Sequence, residues 1–290
     1  MLTAGIDIGG TQLRAGVFDG EYCLVDSIKC GNDRSLGAET NMAPLMDFLN
    51  RYRHRLRGVG VGCPGPIDRK NGRMRNPPNL VGWDNFEIVR FICEHTGLPA
   101  VLNNDGNVAG LAEACLGAGK GYGAVVYIGV STGVGGAYIL DGKIVNGAHD
   151  NCCEIWNMIV NEDVYCHKNA NPGSLNEQVG GSGLARIASE HFGRPMDART
   201  LFALAARGDP AAQELLDRAT DTLARGIANI SCTLDPEAIV IGGSVAIYNW
   251  SFIERAAGLA KKYINYADEL PVLPAAFGDD AGLIGAALLI

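Results

Sequence analysis

The hydrophobic pattern divides the chain into short apolar runs broken by glycine and longer stretches of helical periodicity. The first run, residues 2–8, is apolar except for Thr3 and Asp7. Gly9, Gly10 and Thr11 follow, and a second apolar stretch, 13–18, leaves after the turn. This reads as strand, tight turn, strand. Residues 22–29 predict a third strand, and 41–57 an amphipathic helix with Met42, Leu45, Met46 and Leu49 on one face. A buried strand from Gly58 into Cys63 comes next, then a loop tip at 71–73 and a helix over 86–96 stopped by Gly97 and Pro99. The short strand 100–102 leads through Asn103-Asn104-Asp105-Gly106-Asn107 into a helix over 108–115. The second half opens with a strand at 124–129 and a hairpin at 133–145, and a departing region covers 147–177. Helices are expected at 181–192, 197–207 and 210–234. A strand of Ile239, Val240 and Ile241 then ends in Gly242 and Gly243, and an Ala-rich helix suited to close packing finishes the chain.

With 290 residues and 47% hydrophobic content, the chain can fill one large core or two medium ones, and its length favours about two domains. The net charge of −8 and the lack of any Lys/Arg cluster argue against nucleic acid or an anionic membrane as partner. No apolar run approaches the roughly 18 residues of a membrane span, and no basic stretch precedes the first strand. A soluble, cytoplasmic protein is expected. Nine cysteines, an odd number without framework spacing, read as reduced thiols.

Asp7 is the first candidate for chemistry. A carboxylate buried at a strand end costs several kcal/mol unless it meets a partner, so a hydrated cation or a hydroxyl is expected there. Gly9 and Gly10 would permit positive φ and let a phosphate approach backbone amides. The plain alternative is a hairpin with a surface aspartate. A similar stretch, Tyr127-Ile128-Gly129-Val130-Ser131-Thr132-Gly133-Val134-Gly135-Gly136-Ala137, argues for a duplicated fold with two phosphate hairpins. Neither hairpin is a Walker loop. Gly60, Gly62 and Gly65 match G-x-G-x-x-G, but Pro64 and Pro66 impose a turn where a dinucleotide fold needs a helix, so a dehydrogenase is set aside. Asp105 follows an apolar strand at a strand-to-helix turn, where α/β proteins place chemistry; helix capping is the competing role. Asn76-Pro77-Pro78-Asn79 with Trp83 suits a sugar rim, the indole giving an apolar face and the amides reading hydroxyls, or else a rigid turn.

These motifs resemble the sugar-kinase, acetate-kinase and actin superfamily, and within it the ROK family. The chain reproduces the family's D-x-G-G-T at 7–11, its S-T-G-x-G-G at 131–136, an N-D-x-N at 104–107 and a D-P-x-x-I-V-I-G-G at 235–243. The resemblance covers nearly the whole chain. It implies an α/β, two-lobed actin-like (ribonuclease H-like) fold with a duplicated βββαβα core and an interlobe cleft. Lobes of 1–116, joined by the final helix 278–290, and of 117–277 are expected, with a hinge in the glycine-rich 117–123. The implied activity is transfer of the γ-phosphate of ATP to a hexose hydroxyl, the 6-OH, as in a glucokinase. Asp105 would be the general base, and Asp7 would hold Mg²⁺ through water. Gly9, Gly10, Thr11, Thr132, Gly133, Gly242 and Gly243 would contact ATP. Gly65, Asn79, Asn104, Asp105, Glu154, Asn157 and Glu177 would hold the sugar. A homodimer is the expected assembly.

The chain departs from the family's G-E-x-G-H and C-x-C-G-x-x-G-C-x-E segments. Glu154 is kept, the histidine becomes Asn157, and the three cysteines become His167, Asn169 and Ser174 in the register set by Gly173 and Gly181. A structural zinc needs four N or S ligands, so none is expected. In that register Asn176 stands at the second sugar glutamate and Glu177 one residue later. Packing of Trp156, Ile155 and Cys153 is the expected substitute for the metal. Three alternatives remain: a catalytically weak sugar-binding protein, a kinase for N-acylhexosamines or other hexoses, and a sugar-responsive repressor. The last would carry a helix-turn-helix before the first strand.

Overall fold

The computed structural model describes residues 1–78, 80–167, 170–264 and 270–290. The chain opens with β1 (Leu2–Ile8), β2 (Gln12–Phe18) and β3 (Leu24–Gly31), followed by α1 (Ala38–Asn50) and β4 (Leu56–Cys63). A small hairpin of β5 (Ile67–Asp68) and β6 (Arg73–Met74) precedes α2 (Ile88–Thr96), β7 (Ala100–Asn104) and α3 (Asp105–Cys115). The second half begins with β8 (Ala124–Val130), β9 (Val134–Leu140) and β10 (Lys143–Ile144). After a 3-10 turn at Ile155–Asn157 come α4 (Leu175–Val179), α5 (Gly181–Phe192), α6 (Ala198–Ala206) and α7 (Pro210–Leu234). It closes with β11 (Ala238–Gly242), α8 (Ser244–Tyr248), α9 (Trp250–Ala260), β12 (Val272–Pro274) and α10 (Ala281–Ala287).

Two five-stranded sheets result, in the orders β3-β2-β1-β4-β7 and β10-β9-β8-β11-β12. In the first, β1 runs antiparallel to β2 and parallel to β4; in the second, β8 runs antiparallel to β9 and parallel to β11. The sheets therefore match strand for strand, which is the duplicated α/β architecture of the two-lobed actin-like fold. By packing, one compact unit comprises Met1–Cys115, Lys143–Cys152 and Asp279–Ile290, and the other Leu116–Gly142 and Cys153–Gly278.

Burial follows each strand's place in its sheet. Central β1 and β4 are buried along most of their length, as expected of strands covered on both faces, whereas edge strand β3 alternates. The first unit's core gathers Ile6, Val61, Met42 and Phe48; the second's gathers Ile128, Ile241, Leu223 and Phe252.

Helix α10 reaches its sheet through glycine. A Cβ on Gly60 would lie 1.7 Å from the Ala286 carbonyl oxygen, and one on Gly5 2.2 Å from that of Leu283. The chance G-x-G-x-x-G match thus has a packing reason: Gly60 admits α10, and a Cβ on Gly62 would lie 2.6 Å from Val108 Cγ2 of α3. We expect Gly60→Ala to destabilise the first unit by about 1–3 kcal/mol or more, because backbone cannot yield as a side-chain tip does. Thermal or denaturant melting checks this; an unchanged midpoint would contradict the packing.

Several boundaries moved. Helix α1 spans Ala38–Asn50 rather than 41–57, since Leu56 already pairs with Leu2 in the sheet. The Asn41 side chain binds the backbone of Asp33, Leu36 and Gly37, which fixes it inside the first turn. Helix α3 starts at Asp105, three residues early, because Asn104 Oδ1 accepts the Gly106 N–H at 2.9 Å. Short α4 and α8, the longer α9 and strand β12 were not anticipated. Helix α9 packs on α7 through Phe252, Ile253, Ala256 and Ala260, a face that the nearby glycine motif overshadowed in sequence.

Candidate active site

In the first unit the predicted carboxylates stand at the carboxyl ends of β1 and β7, the parallel strands on either side of β4. Asp7 of β1 is opposite Gly62 of β4, and Cys63 of β4 is opposite Asn104, the last residue of β7 before Asp105. Between them the fully buried Cys63 thiol is pushed well above its usual range, first by burial and then by the charges of Asp105 and Asp7. Both carboxylates therefore act on one small region.

Asp7 has a partner that the sequence reading missed. Arg14, across the hairpin in register with it, donates to Asp7 Oδ2 from Nε at 3.1 Å and Nη2 at 2.6 Å. The guanidinium also reaches the Asp279 carbonyl and the Asp280 carboxylate, tying the hairpin to the approach to α10. The turn itself is held by Gly9 N–H donating to Gln12 O at 2.8 Å, and Asn32 donates to Gly9 O at 3.0 Å. Gly9 does not use positive φ; its hydrogen replaces a Cβ that would approach Gln12 O at 3.1 Å. Thr11 is exposed at the tip, with Gly10 beside it half-buried.

Asp105 is the exposed first residue of α3, and its Oδ1 accepts the Gly106 N–H at 2.8 Å. Beneath it lies a buried amide network: Asn103 Oδ1 accepts from Asn107 Nδ2 at 2.9 Å, while Asn103 Nδ2 donates to Asn146 Oδ1 at 3.0 Å. Buried amides satisfied by one another are rigid, so the base candidate has a fixed footing. Gly65 lies against Asn104, its would-be Cβ 3.3 Å from Asn104 Nδ2, which brings two sugar candidates together. Asn79 is outside the described residues. Trp83 is not a sugar rim: it is 1% exposed in the first unit's core, edge-on to Phe86 at 5.6 Å.

In the second unit the β8–β9 turn closes with Ser131 N–H donating to Gly133 O at 2.8 Å. The hairpin is strapped to the start of α5, since Gly181 N–H donates to Ser131 O at 2.8 Å and Ser182 N–H to Thr132 O at 2.9 Å. A Cβ on Gly133 would stand 2.6 Å from Asn176 Oδ1, so its glycine is demanded by protein packing whether or not a phosphate lies there. The same holds for Gly242, whose Cβ would meet the Tyr127 hydroxyl at 2.8 Å, and for Gly243, at φ +88°, whose Cβ would meet Val130 O at 2.4 Å. Beside the hairpin opens a cleft of ≈ 810 Å³, lined by Thr132, Ser182, Phe202, Ser244 and Tyr248 among others. Its size suits a nucleoside. Its walls come from α5, α6 and α8; of the sequence-predicted nucleotide residues, only Thr132 lines it.

Of the residues expected to hold the sugar in this unit, Glu154 is exposed and accepts the Trp156 indole N–H. Glu177, 7% exposed, accepts from Asn176 Nδ2 at 2.9 Å. Asn157 is already engaged: its Oδ1 accepts the Asn171 N–H and its carbonyl accepts Asn171 Nδ2 at 3.0 Å. The loop that carries these residues is held by the expected apolar packing, Ile155 being buried in the second unit's core with Trp156 and Cys153 packed against that core, and is clasped by polar groups as well. Asp163 Oδ2 accepts from Gln178 Nε2 at 2.8 Å and from Arg186 Nη2 at 3.1 Å, and Asn161 Nδ2 donates to Gln178 Oε1 at 2.8 Å. Burial pushes the Asp163 carboxyl up, but the hydrogen bonds of Gln178 and Tyr165 and the charge of Arg186 outweigh it and hold it below the usual range. Arg186 also stacks on Tyr165 at 4.0 Å. Of the three positions aligned with the family's cysteines, His167 is exposed, Ser174 is buried, and Asn169 is outside the described residues. Among the described residues, no three His, Cys, Asp or Glu side chains group as metal ligands.

Duplicated five-stranded sheets, each opening on a glycine hairpin, define a protein of the actin-like fold class. The chain belongs to the ROK family, which it matches over residues 3–290. It is a ROK-family sugar kinase, an ATP-dependent phosphotransferase. It is 32% identical over 292 residues to an N-acetylmannosamine kinase of Escherichia coli, covering 100% of this chain and 98% of that protein. Its fold is similar to the ROK hexokinase from Thermus thermophilus, with a TM-score of 0.92, 34% identity and coverage of 99% and 97%. It is also similar to a ROK family glucokinase from Streptomyces griseus in complex with glucose and AMPPNP, with a TM-score of 0.79, 26% identity and coverage of 100% and 99%. No helix among the described residues is long and apolar enough to cross a membrane.

Proposed function

We propose that this kinase transfers the γ-phosphate of ATP to the 6-hydroxyl of a hexose. The observation that carries the reading is the row of strand ends in which Asp7 and Asp105 flank buried Cys63, a base candidate beside a phosphate-side carboxylate. Asp105 takes the proton of the attacking hydroxyl, within direct hydrogen-bond reach. In the first unit Gly65, Asn79 and Asn104 orient the sugar; in the second Glu154 and Glu177 do so, with Asn157 contributing through its amide NH₂. Amides and hydroxyls of Gly10, Thr11, Thr132 and Gly133 receive the phosphates, with Gly9 giving them room to approach, and the nucleoside occupies the cleft beside Thr132, with Gly242 and Gly243 leading the chain into Ser244 at its wall.

One carboxylate with substrate phosphates and waters satisfies Mg²⁺, and Asp7 fits that role because Arg14 occupies only its Oδ2. The ion would neutralise charge on the phosphates. Phosphoryl transfer asks for positioning more than for reactive side chains, which matches a site with one base. ADP release measured over hexoses, hexosamines and N-acyl derivatives tests the reading: one hexose should stand out, and no turnover with any would sink it. A homodimer is proposed on the resemblance, and a cytoplasmic location on the charge and hydropathy pattern of the sequence.

No zinc is assigned to the loop, because the Asp163–Gln178–Arg186 clasp already ties it to α4 and α5. Exhaustive chelation followed by Mg²⁺ alone should restore full activity. Restoration that requires zinc would contradict this. The second reading, a sugar-binding protein with weak catalysis, is favoured by the engagement of Asn157 Oδ1 with Asn171. It predicts a tight hexose complex with little ADP release.

A further inference from the structure

We propose that Asn176 couples the sugar side and the nucleotide side of the second unit, so that hexose and ATP bind with positive cooperativity; this rests on the reading of Glu177 and of the second hairpin given above. The Asn176 amide faces both. Its Oδ1 accepts the Val134 N–H at 3.0 Å, at the exit of the β8–β9 turn, and its Nδ2 donates to Glu177 Oε1 at 2.9 Å. The chemistry fixes this orientation, since a backbone N–H requires an acceptor and a carboxylate requires a donor. One planar group therefore serves two subsites, and rotating it breaks both bonds together.

The surroundings leave the two ends little independent freedom. The corner between α4 and α5 is tied to the hairpin by the Gly181 and Ser182 amides, at 2.8 and 2.9 Å. A Cβ on Gly180 would lie 3.1 Å from Gly133 Cα, and one on Gly183 2.4 Å from Glu177 O, so backbone lies against backbone on both sides of the corner. A sugar that fixes Glu177 thus fixes Asn176 and, through it, the hairpin that receives the phosphates. The second ligand then meets a site already ordered, which favours it with no further change of shape. Coupling of this kind is reciprocal. Asparagine is the residue required: aspartate would keep the bond to Val134 but set two carboxylates against each other at Glu177.

Calorimetry decides the matter, using the hexose that the wild-type enzyme phosphorylates. AMPPNP with Mg²⁺ should tighten the hexose Kd by about 5-fold or more, and the hexose should tighten the AMPPNP Kd by the same factor. In Asn176→Asp and in Asn176→Ala the factor should fall to near one, and a role in folding alone would leave it unchanged. If Asn176→Asp does not fold, Asn176→Ala carries the comparison. The proposal is overturned by a wild-type enzyme whose ligands bind independently, or by folded variants that keep the full factor. Absence of turnover with every hexose would instead remove the kinase reading, and this proposal with it.

Discussion

Asp105→Asn is expected to lower kcat by at least about 10²-fold with little change in sugar affinity. Asparagine has the shape of aspartate and keeps an Oδ1 for the Gly106 N–H, the bond that now orients the side chain at 2.8 Å. The buried Asn103–Asn107–Asn146 network below is untouched, so the start of α3 should stay in place. What is lost is the capacity to accept a proton from the attacking hydroxyl. A sugar KM near the native value with collapsed turnover is the signature of an interaction made only in the transition state. Near-native kcat would remove Asp105 from the mechanism.

The second large effect is expected at Asp7. Asp7→Asn should cut kcat by about 10²–10³-fold, the range seen when charge stabilisation is withdrawn from a developing anion, and should raise the Mg²⁺ concentration needed for half-maximal rate. It should also cost about 1–3 kcal/mol of stability, because the partly buried Arg14 loses its charged acceptor. Arg14→Leu separates the two effects. It should lose stability and loosen the tie to Asp280 while keeping the Mg²⁺ requirement closer to native. A Mg²⁺ profile unchanged in Asp7→Asn would show that Asp7 serves Arg14 and not the metal.

Asp7, Asp105 and both glycine hairpins were legible in the sequence because each is a local pattern: a carboxylate at a strand end, or small residues between two apolar runs. Helices α5 and α7 were legible for the same reason, their periodicity running to clear stops. Trp83 was misread because an aromatic residue among prolines and asparagines looks like a rim until the chain folds its indole into a core. Arg14 was missed because its value lies in cross-strand register with Asp7 and in contact with Asp280, 266 residues away. Asn176 was seen only as an imperfect glutamate, whereas its two bonds reach Val134 and Glu177 at once. The cleft beside Thr132 was invisible because α5, α6 and α8 each supply a few unremarkable residues, and the glycines that stood out, Gly242 and Gly243, answer to Tyr127 and Val130 instead.

The central claim is phosphate transfer to the 6-hydroxyl. Phosphorus NMR of the product formed from the preferred hexose, with the 6-deoxy analogue run in parallel, tests it most directly. The account predicts a hexose 6-phosphate and equimolar ADP, with the 6-deoxy sugar bound but unphosphorylated. A phosphate on any other hydroxyl, or turnover of the 6-deoxy sugar, would contradict it.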